Sequence, residues 1–477
     1  MTNAPSARLG LGWALLPLLT LVACFVAGSL SIGLGTEVLI VSMLTAAFVA
    51  GGVARRQGAD WEAIQRSTGA KLAAVLPVIL ILLAIGMLIG TWVLSGTIPL
   101  LVAWGVELIH PRFIVLTAFL ATAVMSLCTG TSWGSAGTLG VALMGAAAAL
   151  DAPLAATAGA VVSGAYFGDK MSPLSDSTNI CALGAGADLY AHIRHMLYTA
   201  VPSFVLAVVV FSLAARSGAV GETTRPPEAT RLLQEIDIVF RVDLIALLPL
   251  LLVLTGVALR RPPALVLAAA SMLAAALGVA VQGFSPAQGV AAAVTGFDLS
   301  MLQSLGHDPG EFSELFARLV GRGGLFSMAP TLVVIISAFL LAAAMDVSGA
   351  LDRLLRALLS GVSSVFGLIA ATMTAGATMI SLTSHGGVTA LIVGGMFQDA
   401  YRERDLAPEN LSRSLEDSVT LVEPLMPWTV SAIFMATTLD VPTLEYAPWA
   451  LFCLGGPLFS LGYALTFQRL GLGIRRG

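Results

Sequence analysis

Long apolar stretches separated by short polar turns dominate the chain, and their length fixes what they build. Runs of about 20 mainly apolar residues, enough to cross a bilayer as helix, fall at 11–31, 36–54, 72–94, 196–214, 243–259, 264–282, 325–345 and 446–468. Each predicts a membrane-spanning helix. Two further stretches, 113–182 and 362–439, are equally apolar but are punctured by Gly, Ser, Thr, Pro and carboxylates, a pattern that disfavours unbroken helix. The first divides into a hairpin over 113–150, with its tip at Thr129–Gly134, and a helix over 153–182 interrupted near its middle. The second divides into a hairpin over 362–400, with its tip at Thr383–Gly386, and an interrupted helix over 408–439. Segments 97–110 and 349–359 carry Glu107, His110, Asp352, Arg353 and Arg356. They are too short and polar to span, which predicts helices lying at the membrane surface.

Composition sets the class. Of 477 residues, 57% are hydrophobic and 11% charged, against about 25% charged in soluble domains. A soluble fold would leave large apolar patches facing water, so a cytosolic enzyme, a nucleic-acid binder and a disordered scaffold are excluded. The net charge of −4 offers no basic field to nucleic acid. Cys24, Cys128, Cys181 and Cys453 lie far apart in no metal-binding or haem pattern, which speaks against disulfides and structural zinc. Leu21-Val22-Ala23-Cys24 has the shape of a lipoprotein cleavage box, but the apolar run continues to Leu34. That is too long for a signal core and predicts an uncleaved first span.

The chain also repeats itself. Ser95-Gly96 closes the third apolar run as Ser348-Gly349 closes the seventh. Thr131-Ser132-Trp133-Gly134 matches Thr383-Ser384-His385-Gly386, and Ser172-Pro173-Leu174 with Thr178 matches Glu423-Pro424-Leu425 with Thr429. The offsets of 253, 252 and 251 residues are nearly constant, which is the signature of duplication. Four basic loops follow: Arg55, Arg56, Arg66 and Lys71; Arg260-Arg261; Arg402 and Arg404; Arg469, Arg475 and Arg476. The positive-inside rule puts them in the cytoplasm. All four fit there if each half has five spans plus one re-entrant hairpin, and an odd span number inverts the second half. The sequence therefore predicts an all-α polytopic protein of the inner (cytoplasmic) membrane, built as an inverted repeat with interrupted helices and cytoplasmic termini. Its halves are 1–215 and 243–477, joined by a loop over 216–242. In that loop Arg216, Arg225, Arg231 and Arg241 fall outside, balanced by Glu222, Glu228, Glu235 and Asp237.

The densest chemistry lies in Gly168-Asp169-Lys170-Met171-Ser172-Pro173-Leu174-Ser175-Asp176-Ser177-Thr178-Asn179. Each charge at bilayer depth costs roughly 2.5–3.5 kcal/mol on insertion scales. Pro173 frees backbone carbonyls, and non-helical backbone survives at that depth only inside protein or beside a wet cavity. Freed carbonyls, hydroxyls and carboxylates are hard oxygen ligands suited to a small cation. An extramembrane loop is the plainer reading, and the apolar flanks 155–167 and 180–187 oppose it. Asp169 and Lys170 can neutralise each other. Asp176 has no basic residue within five positions, which makes it the expected seat of cation and proton, with Ser177, Thr178 and Asn179 beside it.

The second half carries Glu416-Asp417 and Glu423-Pro424-Leu425-Met426-Pro427-Trp428-Thr429. Glu423 stands where Ser172 does and Pro427 where Asp176 does, so the half-sites differ in charge. Glu416 and Asp417 lie near Arg413, and a surface ion pair competes with a functional role for both. The hairpin tips add hydroxyls beside glycines: Thr129, Thr131 and Ser132 in the first, Thr383 and Ser384 with His385 in the second. Small-residue helix packing also explains such positions. His385 can titrate near neutral pH, although a lone histidine is more often a packing residue. No enzyme motif is present: Tyr166-Phe167-Gly168-Asp169 lacks the first glycine of an intramembrane aspartyl protease, and there is no zinc-protease, nucleophile-elbow or phosphate-loop pattern. The chain is read as a non-enzyme without cofactors, whose partners are the lipid bilayer and small cations. A homodimer is compatible with it.

At Thr129–Gly134, at Gly164–Asp176 and at Asn410–Ser418 the chain resembles the NhaC family of sodium/proton antiporters, part of the ion transporter superfamily. The resemblance covers nearly the whole chain. It implies sodium/proton exchange, two hairpins facing two interrupted helices, and a cation-binding stretch of Asp169, Asp176, Ser177, Thr178 and Asn179. That family usually has a small polar residue where Glu423 stands and an asparagine where Thr429 stands. Some of its members resemble exchangers of organic acids or amino acids.

The mechanism expected from these residues is competition. Na+ (or Li+) and H+ share Asp176, helped by Ser177, Thr178, Asn179 and the Thr131/Ser132 tip. Only the neutralised carrier reorients, because a bare carboxylate in a closing low-dielectric path is heavily penalised. The alternative is a Na+-coupled or exchange carrier of a small organic acid or amino acid, held by half-helix N-termini and the second hairpin. A passive channel is disfavoured by two unlike half-sites.

Overall fold

The computed structural model describes residues 9–33, 36–216, 226–259, 261–359, 362, 364–384 and 386–477. Leu- and Val-rich runs give α1 (Leu11–Ile32) and α2 (Thr36–Arg56), which lie where the first two spans are predicted. A polar helix, Trp61–Ala74, is capped by the Asp60 carboxylate. α3 (Leu76–Leu94) follows it with Pro77 in its first turn, where a missing N–H costs nothing. α4 (Thr97–Leu108) comes next.

The first hairpin pairs α5 (Ile114–Thr129) with an arm made of Ser132–Ser135, a π-helical turn at Ala136–Gly140, and α6 (Val141–Ala149). The first interrupted helix is α7 (Leu154–Met171) and α8 (Asp176–Ala185). α9 (Leu189–Arg216) then runs 28 residues, seven of them ahead of the predicted start at 196.

The second half also carries a hairpin followed by an interrupted helix. α10 (Pro227–Val239) and the short α11 (Leu248–Ala258) precede α12 (Pro263–Ala280). Then come α13 (Ala329–Val347), α14 (Ala350–Leu359), and the second hairpin of α15 (Val365–Thr383) and α16 (Gly386–Arg402). The second interrupted helix comprises α17 (Pro408–Leu415), a π-helical turn at Glu416–Thr420, a 3-10 turn at Glu423–Leu425, and α18 (Val430–Leu439). α19 (Leu451–Leu470) closes the chain's helices.

Among the described residues eight helices are long and apolar enough to cross a membrane, and up to eleven if each bent pair counts as one span. The protein is thus an all-helical polytopic membrane protein. Both breaks and both hairpin turns fall where the sequence is punctured.

The 97–110 segment forms α4, which buries Ile98, Leu100, Val102, Ala103 and Val106 and lays Gly105 against Ala146 of the first hairpin. Two expectations change. The 216–242 segment contains α10, whose buried Glu235 accepts from Arg231 Nε at 2.9 Å and from Ser313 N at 2.8 Å. The predicted 243–259 span shrinks to a 3-10 turn plus the 11 residues of α11, bent 98° from α10.

Two apolar clusters hold the bundle, and the interrupted helices exchange limbs between them. α8 places Cys181 and Ala185 in the cluster built on α1, α2, α13, α15 and α16, while α18 places Val430, Phe434 and Leu439 in the cluster built on α3, α5 and α7. Trp133 of the first hairpin stacks on Phe434 of α18 at 4.5 Å. Reciprocally, Gly184 of α8 lies against Ala390 and Gly394 of α16. A side chain has no room there: a Cβ on Gly184 would stand 2.8 Å from the Ala390 carbonyl oxygen. Gly184→Leu is therefore expected to lower the unfolding temperature in detergent, at a cost of about 1–3 kcal/mol. Gly395→Ala, with nothing within 4 Å, is expected to leave that temperature level or slightly higher.

Candidate functional site

The site forms where the two breaks meet the first hairpin tip. Gly164 and Gly168 let α7 lie directly on the α5 backbone, and Ser126 Oγ donates to the Ala165 carbonyl at 2.5 Å. That contact carries the end of α7 to the hairpin tip. α7 stops before Pro173, and Ser175 restarts the helix by capping the Thr178 N–H. Thr178 Oγ1 donates back to the freed carbonyls of Asp169 and Lys170 at 3.2 and 3.0 Å. Asn179 Nδ2 donates to the Pro173 and Ser175 carbonyls. The break is thus braced by its own polar side chains.

Asp169 is buried at this break. Its Oδ2 accepts from Ser132 Oγ of the hairpin tip at 2.8 Å, and its Oδ1 accepts from Ser175 Oγ at 2.6 Å. Its sequence neighbour Lys170 does not pair with it. Lys170 forms a fully buried ion pair with Asp417 and donates to Thr199 Oγ1 of α9 at 3.2 Å. Asp417 and Glu416 are therefore no surface pair with Arg413. They sit inside the molecule because the π-helical turn, closed by Leu421 N to the Glu416 carbonyl at 3.2 Å, shifts the register at that point. Arg413 is itself buried and donates to the Gly473 carbonyl.

Glu416 Oε1 accepts from Ser177 Oγ at 3.2 Å, and its Oε2 faces His192 Nε2 at 4.0 Å. His192 Nδ1 meets Ser412 Oγ at 2.7 Å. Glu423, buried at the second break, has its carboxylate against Gly386 at the second hairpin tip. Thr429 caps α18 and donates to the Glu423 carbonyl at 2.5 Å.

The other sequence candidates lie as follows. Asp176 is exposed in the first turn of α8, where the helix N-terminus favours a carboxylate. Asn179 is exposed as well. Thr131 caps its own hairpin arm through the Gly134 N–H. Thr383 and Thr389 hydroxyls meet at 2.5 Å, and Ser384 donates to the Trp428 carbonyl at 3.5 Å. His385 lies outside the described residues. Sequence reasoning passed over Ser175, His192 and Thr199. The Ser-x-x-Thr spacing at 175–178 was a readable cap signal, and His192 and His195 stood in the polar lead-in to the 196–214 run.

Around the two helix breaks four buried carboxylates, Asp169, Glu416, Asp417 and Glu423, lie with two buried bases, Lys170 and Arg413, while the buried Glu235 and Glu409 lie apart from them on their own arginines, Arg231 and Arg475. Two negative charges are in excess, and a low-dielectric interior holds such an excess only with cations or protons bound. Among the described residues no three His, Cys, Asp or Glu side chains gather as a resident-metal ligand set.

Broken helices that carry carboxylates through an apolar bundle define an ion-coupled membrane transporter. The comparison with known proteins narrows this class. The description of the Na+/H+ antiporter family matches residues 164–466, and the chain belongs to that family. It is 43% identical over 406 residues, 85% of each chain, to an uncharacterized Na+/H+ antiporter of Haemophilus influenzae. It is 38% identical over 397 residues, 83% of this chain and 82% of the other, to the Na+/H+ antiporter NhaC of Alkalihalophilus pseudofirmus. It is also 30% identical over 416 residues, 86% of each, to the malate-2H+/Na+-lactate antiporter of Bacillus subtilis.

Proposed function

We propose that this protein exchanges Na+, or Li+, for H+ across the cytoplasmic membrane at a site centred on Asp169. One observation carries the reading. The Asp169 carboxylate is buried at a helix break, ringed by the hydroxyls of Ser132 and Ser175, and paired with no base among the described residues. A hydroxyl that donates to a carboxylate can turn and offer a lone pair to a cation, so the same groups serve either occupant. Thr178 holds the break open beside them, and Glu423 adds negative charge from the second half. Na+ and H+ each neutralise Asp169, and the neutral carrier is the one that reorients. Asp176, exposed nearby, then acts as an electrostatic lure at the mouth of the site.

The recurring element order and the reciprocal limb exchange support two halves, 1–215 and 243–477, related as an inverted repeat with re-entrant hairpins. The basic loops orient both termini toward the cytoplasm.

The likeness to the malate-2H+/Na+-lactate antiporter of Bacillus subtilis favours a second reading, exchange of a small organic acid. A cavity of about 460 Å³ reaches Pro427 and Ile433 and could admit such a solute. Its charged lining is Glu37 and Asp440, with no basic side chain, which suits a cation better than an organic anion.

Reconstitution decides between them. The purified protein in liposomes loaded with a pH-sensitive dye is expected to move protons when Na+ or Li+ is added outside, and not when K+ is added. Proton movement that requires lactate or malate together with Na+ would replace the first reading by the second.

A further inference from the structure

Two carboxylates on different helices are joined by two hydroxyls. Ser175 Oγ donates to Asp169 Oδ1 at 2.6 Å, Ser177 Oγ donates to Glu416 Oε1 at 3.2 Å, and the two serine oxygens stand 3.0 Å apart. Each hydroxyl has one proton. With both carboxylates ionised, both protons point outward and the 3.0 Å contact brings lone pair against lone pair. One added proton repairs the chain. The protonated carboxyl donates to its serine, that serine donates to the other, and the second donates to the remaining carboxylate. A second added proton leaves one serine hydrogen with no acceptor in the chain. The four groups form a continuous one-directional chain only when they hold a single extra proton.

We infer that Asp169 and Glu416 share one proton through Ser175 and Ser177, and that Na+ arriving at Asp169 sends this proton to Glu416. In the transfer the Asp169 O–H bond breaks, Ser175 and Ser177 each accept one proton and pass one on, and an O–H bond forms on Glu416. No other bond changes. The inference rests on the Na+ reading of Asp169 and deepens it: ion and proton trade places within the protein before the proton leaves.

Glu416 is faced by His192 of α9, Cys181 of α8 and Lys170 of α7, with Asp417 beside it in sequence. Asp169 is faced by Ser132 of the hairpin, Asp176 of α8 and Glu423 of the second break. The proton therefore ends against a histidine that the ion does not touch. Such pairs titrate as one unit.

Ser177→Ala separates binding from exchange. Equilibrium binding of 22Na+ to the purified variant is expected to stay within about threefold of wild type, while Na+-driven proton release in dye-loaded liposomes falls at least about tenfold. Ser177→Thr, which keeps the hydroxyl, is expected to restore most of the rate. Exchange at the wild-type rate by Ser177→Ala would overturn the relay. So would a loss of Na+ binding as large as the loss of exchange, or no rescue by Ser177→Thr. Asp169→Asn is the separate control: if it still binds Na+, the underlying site assignment falls and not merely the relay.

Discussion

Asp169→Asn is expected to abolish Na+-driven proton movement in dye-loaded liposomes while leaving the protein at least as stable in detergent as wild type. The amide is nearly isosteric: its oxygen accepts from one of Ser132 and Ser175 and its NH2 donates to the other, whose hydroxyl turns, so the hairpin tip and the break keep their contacts. What disappears is the charge. A charged group at this depth is worth roughly 2.5–3.5 kcal/mol, and each 1.4 kcal/mol is a factor of ten. The expected loss of exchange is therefore about 100-fold or more. Stability moves the other way because the buried groups around the two breaks already hold two negative charges in excess of their bases, and removing one relieves repulsion. Asp176→Asn gives the contrast. Its carboxylate is exposed, so its loss weakens only attraction at the mouth, and exchange should stay within about threefold at physiological salt. If instead Asp176→Asn abolishes exchange and Asp169→Asn does not, the site is seated one helix turn too early.

Much of this arrangement was legible in the residues. Prolines, glycines, hydroxyls and carboxylates crowded together inside an apolar run disfavour unbroken helix, so Pro173, Pro424 and the Thr-Ser-x-Gly tips announced where the chain breaks and turns. The choice between Asp169 and Asp176 was not legible. Both flank the same proline, and which one is buried depends on where α7 ends and α8 restarts, a matter of a few residues of helical phase. Ser175 settles it by capping α8, which turns Asp169 inward and leaves Asp176 on the outer face of the first turn. The partner of Lys170 was hidden for a different reason: it lies 247 residues away. Sequence proximity suggested Asp169 for Lys170 and Arg413 for Asp417, whereas tertiary packing joins Lys170 to Asp417 and turns Arg413 to the Gly473 carbonyl. His192 was missed because hydropathy begins the span at 196, whereas the helix begins at Leu189.

Lys170→Met is expected to be the most destabilising single change in the protein. Lys170 and Asp417 are both fully buried, on helices from opposite halves of the chain, and Thr199 bonds to each of them. Removing the ammonium leaves Asp417 in the interior without its counter-charge, and Asp417 Oδ2 already lacks a hydrogen-bond partner among the described residues. Breaking a buried pair from one side costs about 3–5 kcal/mol, whereas replacing both members by uncharged groups can be nearly neutral. Asp417→Asn alone should therefore also be harmful, and the double variant Lys170→Met/Asp417→Asn should recover most of the loss. The check is a double-mutant cycle on unfolding temperature in detergent at one fixed scan rate, with a coupling of at least about 2 kcal/mol expected. Additive losses would show that the two groups act separately. Exchange adds a second measure. Lys170 offsets Asp417, which on the proposed reading leaves the remaining carboxylates, Asp169 and Glu416 among them, to take up the cation and the proton. The double variant removes one charge of each sign from the interior, so that balance is unchanged. It should therefore still exchange Na+ for H+, whereas Lys170→Met alone, with three excess negative charges in place of two, should hold its cation or proton too tightly to turn over.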